Sequence, residues 1–382
     1  MKILVVTQEL PSFGSGIANV VDAIRRQLSL KHVSVEILSQ KGADINISGD
    51  FGVSTLPGAF GLIPFWQKTT RYILKNKDKY DLIWLHQPLL MKANKLFRLN
   101  NLVYTFHTTY YGYYKAFKAH AISKLLLYYK FLTKFESEMF KRISENNASL
   151  VTFVSQSVAE EASANGLNAS PTIIPNGLYN KSPIDLSKTA ARELIRHKFS
   201  IDIAFDERLL FYFGRITEQK QLFLLVECFR FLTILDPNTH LIIAGKGNLL
   251  DRLKKKVAKQ SNIYVLGYIS QENLDILVKA SDAFISLSCY EGLPLATLES
   301  MSLGIPTILS DIPAHKWLMS FSFSQGILVD QYNPDPQAIS CFIKGLQNKN
   351  NKLELKQFVN EFTWERVSEK YLKLFRNHES RL

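Results

Sequence analysis

Short apolar runs alternate with helix-period segments along the whole chain, at residues 3–6, 33–38, 82–85, 102–106, 150–154, 172–174, 209–213, 240–244, 263–265, 283–287, 307–309 and 326–329. Continuously apolar strands are buried on both faces, and strands separated by helices pair in parallel through crossovers. The fold class is therefore α/β. The runs form two series of six, divided by Asn176-Gly177 and a polar stretch at 180–185 that precedes a basic helical segment at 188–198. We expect two doubly wound, Rossmann-like domains with parallel sheets, residues 1–180 and 181–360, facing across a cleft. A chain of 382 residues with 46% hydrophobic and 12% aromatic content is enough for two cores.

The run Cys289-Tyr290-Glu291-Gly292-Leu293-Pro294-Leu295-Ala296-Thr297-Leu298-Glu299 joins the strand at 283–287 to a helix that Gly304 and Pro306 close. Pro294 is read as its first helical residue. A helix opening at the carboxyl end of a strand turns unpaired N–H groups and a positive dipole end toward an anion, usually a phosphate. Glu291 lies in the loop facing that anion. Glu299 lies one to two turns along, where a carboxylate can accept from both hydroxyls of a ribose. Phosphate and ribose together mean a nucleotide, although a lone Glu before a helix is equally explained by the dipole or by solvation. The pattern E-G-L-P-L-A-x-L-E-x-M-x-x-G-x-P resembles the donor-site signature of retaining GT-B glycosyltransferases of family 4, the glycosyl transferases group 1. The resemblance implies that Glu291 contacts the donor sugar and Glu299 the ribose, with Gly292 and Leu293 beside the donor.

Other segments fit the same family. Phe213-Gly214-Arg215-Ile216-Thr217-Glu218-Gln219-Lys220 resembles its G-R-x-x-x-x-K-G, with Gln221 where Gly is usual. Open α/β sheets bind ligands at the carboxyl ends of their strands, so Arg215 and Lys220 can converge on a diphosphate and stabilise the leaving charge. The chain has no Asp-x-Asp metal motif, and neither a metal nor a cofactor is expected. Ala244-Gly245-Lys246-Gly247 is a strand end where glycine lets backbone approach a ligand, and a plain turn explains it as well. Val265-Leu266-Gly267-Tyr268 resembles the segment bordering the nucleobase, so Tyr268 either flanks the base or is core. Ile174-Pro175-Asn176-Gly177 resembles the I-P-N-G at the end of the first domain, though Leu178-Tyr179 departs from the usual ending, and an Asn-Gly turn also accounts for it. Phe362-Thr363-Trp364 opens an amphipathic helix with Thr363 as a cap. It resembles the closing F-x-W segment, which implies that residues 361–382 cross back to the first domain.

In the first domain, Gly14 and Gly16 follow the first strand in Pro11-Ser12-Phe13-Gly14-Ser15-Gly16, which is not a dinucleotide fingerprint because Asn19 holds the third glycine position. The family places a Gly-rich loop here against the donor diphosphate and acceptor. A lone His is more often structural than catalytic, but His107 in Tyr104-Thr105-Phe106-His107 matches the family's F-H, whose His reaches a hydroxyl of the donor sugar. His86, after the strand at 82–85, is a weaker candidate on the acceptor side.

The formal charge is +12 and the pI about 9.4. From 65 to 146, Lys and Arg outnumber Asp and Glu about threefold, interleaved with aromatics such as Lys115-Ala116-Phe117-Lys118 and the run from Lys124 to Lys134. That pattern suits either an anionic membrane surface or a solvated basic face, and no nucleic-acid motif accompanies it. Cys228, Cys289 and Cys341 lack metal spacing and read as reduced thiols. With no signal-like N-terminus or membrane-length apolar stretch, we expect a cytoplasmic protein, peripheral at the inner face of the cell membrane. The function implied is transfer of a hexosyl unit from a UDP- or GDP-linked sugar to a hydroxyl acceptor, lipid-linked if the basic face meets a bilayer. A nucleotide-sugar epimerase of the same fold and a non-catalytic nucleotide-sugar-binding subunit are the alternatives.

Overall fold

The computed structural model describes residues 1–8, 16–40, 51–53, 62–90, 93–120, 122, 125–146, 149–178, 186–321, 325–346 and 352–380. Among them, one sheet contains β1 (Lys2–Val6), β2 (Ser34–Gln40), β3 (Phe51–Val53), β4 (Leu82–His86), β5 (Leu102–Phe106), β6 (Leu150–Phe153) and β7 (Thr172–Ile173). The second contains β8 (Arg208–Phe213), β9 (Thr239–Ala244), β10 (Ile263–Gly267), β11 (Ala283–Ser286), β12 (Thr307–Ser310) and β13 (Gly326–Val329). The orders are β3-β2-β1-β4-β5-β6-β7 and β10-β9-β8-β11-β12-β13. Every pairing is parallel; Val5 of β1, for example, lies between Ile37 and Trp84.

Both orders reverse direction once, between β1 and β4 and between β8 and β11. At such a point the loops leaving the two strands diverge to opposite faces and open a crevice at their carboxyl ends. The continuous apolar runs arise because helices cover both faces: every residue of β4 and of β5 is buried. The strand absent from the sequence reading is β3. Three residues with Gly52 at the middle, on the sheet edge, are too short to show a period.

The chain divides into two compact units, Met1–Tyr179 with Asn360–Leu382, and Asn180–Val359. In the first, the Trp364–Glu379 helix is capped by Thr363, whose Oγ1 accepts from the Arg366 N–H. Tyr371 and Phe375 pack on Trp84 of β4, with ring centroids 4.6 and 5.0 Å apart, and Lys31 pairs with Glu369 at 3.1 Å. Gly177 is explained by this helix. A Cβ there would stand 2.5 Å from Trp364 Cδ2 and 3.0 Å from its Cα, so only glycine admits the indole. The polar stretch at 180–185 lies outside the described residues.

In the second unit the basic segment forms the Lys188–Phe199 helix, and part of its charge is structural. Buried Asp282 accepts from Lys188 at 2.5 Å, Arg192 at 3.0 Å and the Leu209 N–H at 2.8 Å, which ties this helix to the sheet. All three cysteines are free thiols, two of them buried. Among the described residues no helix is long and apolar enough to cross a membrane.

Candidate active site

The crevice between β8 and β11 brings together residues 71 positions apart. The short helical turn Glu218–Lys220 follows β8 and the loop Leu287–Pro294 follows β11, and Lys220 Nζ donates to Glu291 Oε1. Both side chains are nearly buried, at 14% and 8% exposure. Burial pushes the Glu291 pKa up, yet Lys220, His315 and Ser288 outweigh it and hold the carboxyl below its ordinary value. It is a carboxylate at neutral pH.

Gln219 couples the two loops. Its Nε2 donates to the Tyr290 carbonyl at 2.6 Å, its own carbonyl accepts from the Cys289 N–H at 3.0 Å, and its Oε1 accepts from Arg215 at 3.2 Å. Arg215 itself is exposed, and its carbonyl accepts from the buried Tyr212 hydroxyl at 2.9 Å. Two cations and one carboxylate therefore lie at the adjoining ends of β8 and β11. Gln221, where the family has glycine, adopts the left-handed conformation with φ 48°, which glycine reaches without steric cost.

Gly292 and Leu293 are buried, and the helix that follows runs Leu295–Ser302 with no side-chain cap. Pro294 is its cap rather than its first residue. Glu299 lies on the second turn, half-buried, accepting from Gln271 Nε2 at 3.3 Å. At Gly245 close approach within the protein itself requires glycine. The backbone that approaches it is that of Gly214, whose carbonyl oxygen would be 1.8 Å from a Cβ on Gly245. Likewise a Cβ on Gly247 would meet the Ile216 carbonyl at 2.1 Å. The loops after β8 and β9 thus lie one on the other, joined by Gly214 N–H to Ala244 O and Ile216 N–H to Lys246 O. Tyr268 is not core. It is 73% exposed, with Lys246 Nζ 5.2 Å from its ring centroid.

His315 and Gln219 are the residues that sequence reasoning missed. His315 lies in the Pro313–Met319 helix after β12, fully buried, with Nδ1 2.9 Å from the Ser310 carbonyl. Burial pulls its pKa down to about 4, against Glu291 and the Ser310 carbonyl, which raise it. Nothing in Asp311-Ile312-Pro313-Ala314-His315 distinguishes it from a packed helix residue.

In the first unit, His86 ends β4 and His107 follows β5, with His86 Nδ1 3.0 Å from His107 Nε2 and the rings stacked. Burial brings the His107 pKa down to about 3 and carries His86 well below its ordinary value. The pair is neutral and shares one proton along that bond. Gln87 clamps the loop, its Oε1 accepting from the His107 and Thr108 N–H groups at 2.9 and 3.1 Å. The start of the next helix, Tyr110–Ala119, is already occupied by a carboxyl group: buried Glu136, whose pKa burial pushes up to about 8, accepts from Tyr110 and Tyr111 N–H at 2.8 and 3.0 Å. Gly16 is the exposed first residue of the Gly16–Leu30 helix, and Gly14 lies outside the described residues.

Residues 14–179 match the family Glycosyltransferase Family 4, and residues 195–357 match Glycosyl transferases group 1. The chain belongs to this glycosyltransferase family. An uncharacterized glycosyltransferase of Methanocaldococcus jannaschii is 29% identical over 258 residues, 64% of this chain and 59% of that protein. The UDP-Gal:alpha-D-GlcNAc-diphosphoundecaprenol alpha-1,3-galactosyltransferase of Escherichia coli is 27% identical over 272 residues, 68% of this chain and 65% of that protein. The matches thus span less than two thirds of these curated relatives. The sucrose-phosphate synthase of Thermosynechococcus elongatus superposes with a TM-score of 0.76 at 17% identity, covering 100% of both chains. The fold is the GT-B fold.

Proposed function

We propose that this chain transfers a hexosyl unit, with retention of anomeric configuration, from a UDP- or GDP-linked sugar to a hydroxyl acceptor in polysaccharide or glycolipid synthesis. The observation that carries this reading is the convergence of Lys220, Glu291 and, through Gln219, Arg215 at the reversal of strand order. Fixed cations there suit a diphosphate whose negative charge grows as the sugar leaves. Glu291 positions the sugar, and Glu299 takes the ribose hydroxyls. The uncapped start of the Leu295–Ser302 helix, flanked by Gly292 and Leu293, adds N–H donors for phosphate. Gly16 keeps its role toward the diphosphate from the family resemblance. For His107, Nε2 is engaged by His86, which leaves Nδ1 for a sugar hydroxyl. No carboxylate base is required if the leaving phosphate itself takes the acceptor proton.

A screen tests this. Wild type and Glu299→Ala are examined by thermal shift and donor hydrolysis with UDP-glucose, UDP-N-acetylglucosamine, UDP-galactose and GDP-mannose. One donor should raise the Tm of wild type by several degrees and that shift should shrink strongly in the variant; equal shifts in both would remove Glu299 from the site.

For the acceptor, we propose a lipid-linked hydroxyl reached at an anionic bilayer. Support comes from the exposed face of the Leu126–Ser144 helix, where Leu127 (80% exposed) and Phe131 (49%) stand among exposed Lys130, Lys134 and Lys141, with exposed Lys115 and Lys118 on the Tyr110–Ala119 helix. Apolar side chains ringed by lysine combine burial in the interface with attraction to anionic lipid. The acceptor of the E. coli relative, a diphosphoundecaprenol-linked sugar, has the same character. In a flotation assay at low salt, the protein should rise with phosphatidylglycerol vesicles, and Leu127→Glu/Phe131→Glu should stay at the bottom. Wild type remaining at the bottom would eliminate the membrane reading.

A further inference from the structure

The Lys220–Glu291 pair raises a difficulty for ligand binding. Each of the two is assigned to a different part of the donor, yet here they neutralise one another. A diphosphate that draws Lys220 to itself leaves a buried carboxylate without its counter-ion, and an uncompensated buried charge is strongly unfavourable. Another group has to take it over.

One candidate lies on the segment after β12, which Ser310 Oγ ties to the Glu291 loop by donating to the Ser288 carbonyl. His315 is fully buried and acts on Glu291 electrostatically, as Glu291 acts on it. Its Nδ1–H is committed to the Ser310 carbonyl at 2.9 Å, and the Ser310 hydroxyl, 3.2 Å from the same nitrogen, donates to the Ser288 carbonyl at 2.6 Å. That arrangement fixes the neutral tautomer. Nε2 is then a bare lone pair, and it is buried with no hydrogen-bond partner among the described residues. A buried acceptor without a donor is costly, and it is the position at which a proton can be added.

The charges acting on the ring are Glu291 from the loop after β11 and Lys220 from the turn after β8, while Asp311 and Lys316 on its own segment are solvent-accessible and paired with each other at 2.9 Å. Lys220 repels a proton on His315 and Glu291 attracts one. Moving Lys220 away therefore removes the repulsion and strengthens the attraction in one step.

We infer that His315 is the reserve counter-ion of Glu291: when a nucleoside diphosphate sugar takes Lys220, His315 takes a proton from solvent at Nε2 and holds the carboxylate in place. The inference rests on the nucleotide-sugar reading of this site. His315 is a positioning residue here, acting through Glu291. The sign follows from linkage. A group with a higher pKa in the complex takes up protons on binding, so affinity falls as pH rises above about 4 toward the pKa reached in the complex, by up to about tenfold per pH unit.

The test is calorimetric. UDP-glucose and GDP-mannose carry no group that titrates between pH 5 and 8, so proton exchange on binding reports the protein. The binding enthalpy is measured at pH 6 in buffers of different ionisation enthalpy, whose slope counts protons. Wild type should take up a large fraction of one proton with whichever sugar nucleotide binds. His315→Asn keeps a donor to the Ser310 carbonyl but cannot titrate; it should bind with an uptake near zero and a flat pH dependence. Glu291→Gln, a second variant that leaves nothing to compensate, should also lose the uptake. Binding without proton uptake in wild type, or undiminished uptake in His315→Asn, would overturn the inference and leave the nucleotide-sugar reading standing. Binding of neither sugar nucleotide would overturn both.

Discussion

Replacing Lys220 with alanine lowers kcat about 10²–10³-fold while the KM for the sugar nucleotide changes by roughly a few fold. The asymmetry follows from when the charge appears. In the bound donor the diphosphate negative charge is shared with the sugar bond, and it grows as that bond breaks, so a fixed ammonium stabilises the transition state more than the ground state. Arg215, joined to the same loop pair through Gln219, retains part of the ground-state attraction. The substitution also strips Glu291 of a partner, and breaking a pair this buried costs roughly 3–5 kcal/mol. The melting curve therefore comes first, and turnover is compared at a temperature where the variant is folded. Lys220→Arg, which keeps the cation, should recover part of the rate. Full turnover in a folded Lys220→Ala protein would falsify the leaving-group role.

The second large effect is on stability. Gly245→Ala should lower the stability of the second unit by about 3 kcal/mol or more, because the new Cβ would sit 1.8 Å from the Gly214 carbonyl and neither backbone can yield without breaking Gly214 N–H to Ala244 O or Gly245 N–H to Gly267 O. The φ of 148° adds conformational strain for any side chain. Gly267→Ala is the control. It also has a positive φ, 78°, but the nearest atom to its Cβ is Leu250 Cδ2 at 4.0 Å, so only the backbone cost of about 1–2 kcal/mol remains. Denaturant titration of both variants separates clash from strain. Equal losses would mean that the contact between the loops after β8 and β9 contributes little.

β4, β5 and β8 read directly as strands because burial on both faces leaves runs that are almost wholly apolar. β3 did not, because an edge strand of three residues centred on Gly52 has neither length nor period. Glu291, Lys220 and Arg215 were each singled out as candidates from their position after a strand and from the family motifs around them. What the neighbours of two glycines require was not legible: Gly177 makes room for Trp364 and Gly245 for Gly214.

What the sequence determined by itself was the α/β class, the two series of strands, and which charged residues leave strand ends, since all of these follow from local periodicity and turn chemistry. The pairing of Lys220 with Glu291, Gln219 as the link between their loops, and the hydrogen bond that ties the His315 segment to the loop of Glu291 were decided only by tertiary structure. The strand order sets β8 beside β11 and β11 beside β12, and so brings together side chains 71 and 24 residues apart that have no local reason to meet. Once buried there, their protonation and their partners are fixed by one another, and no window of sequence contains that information.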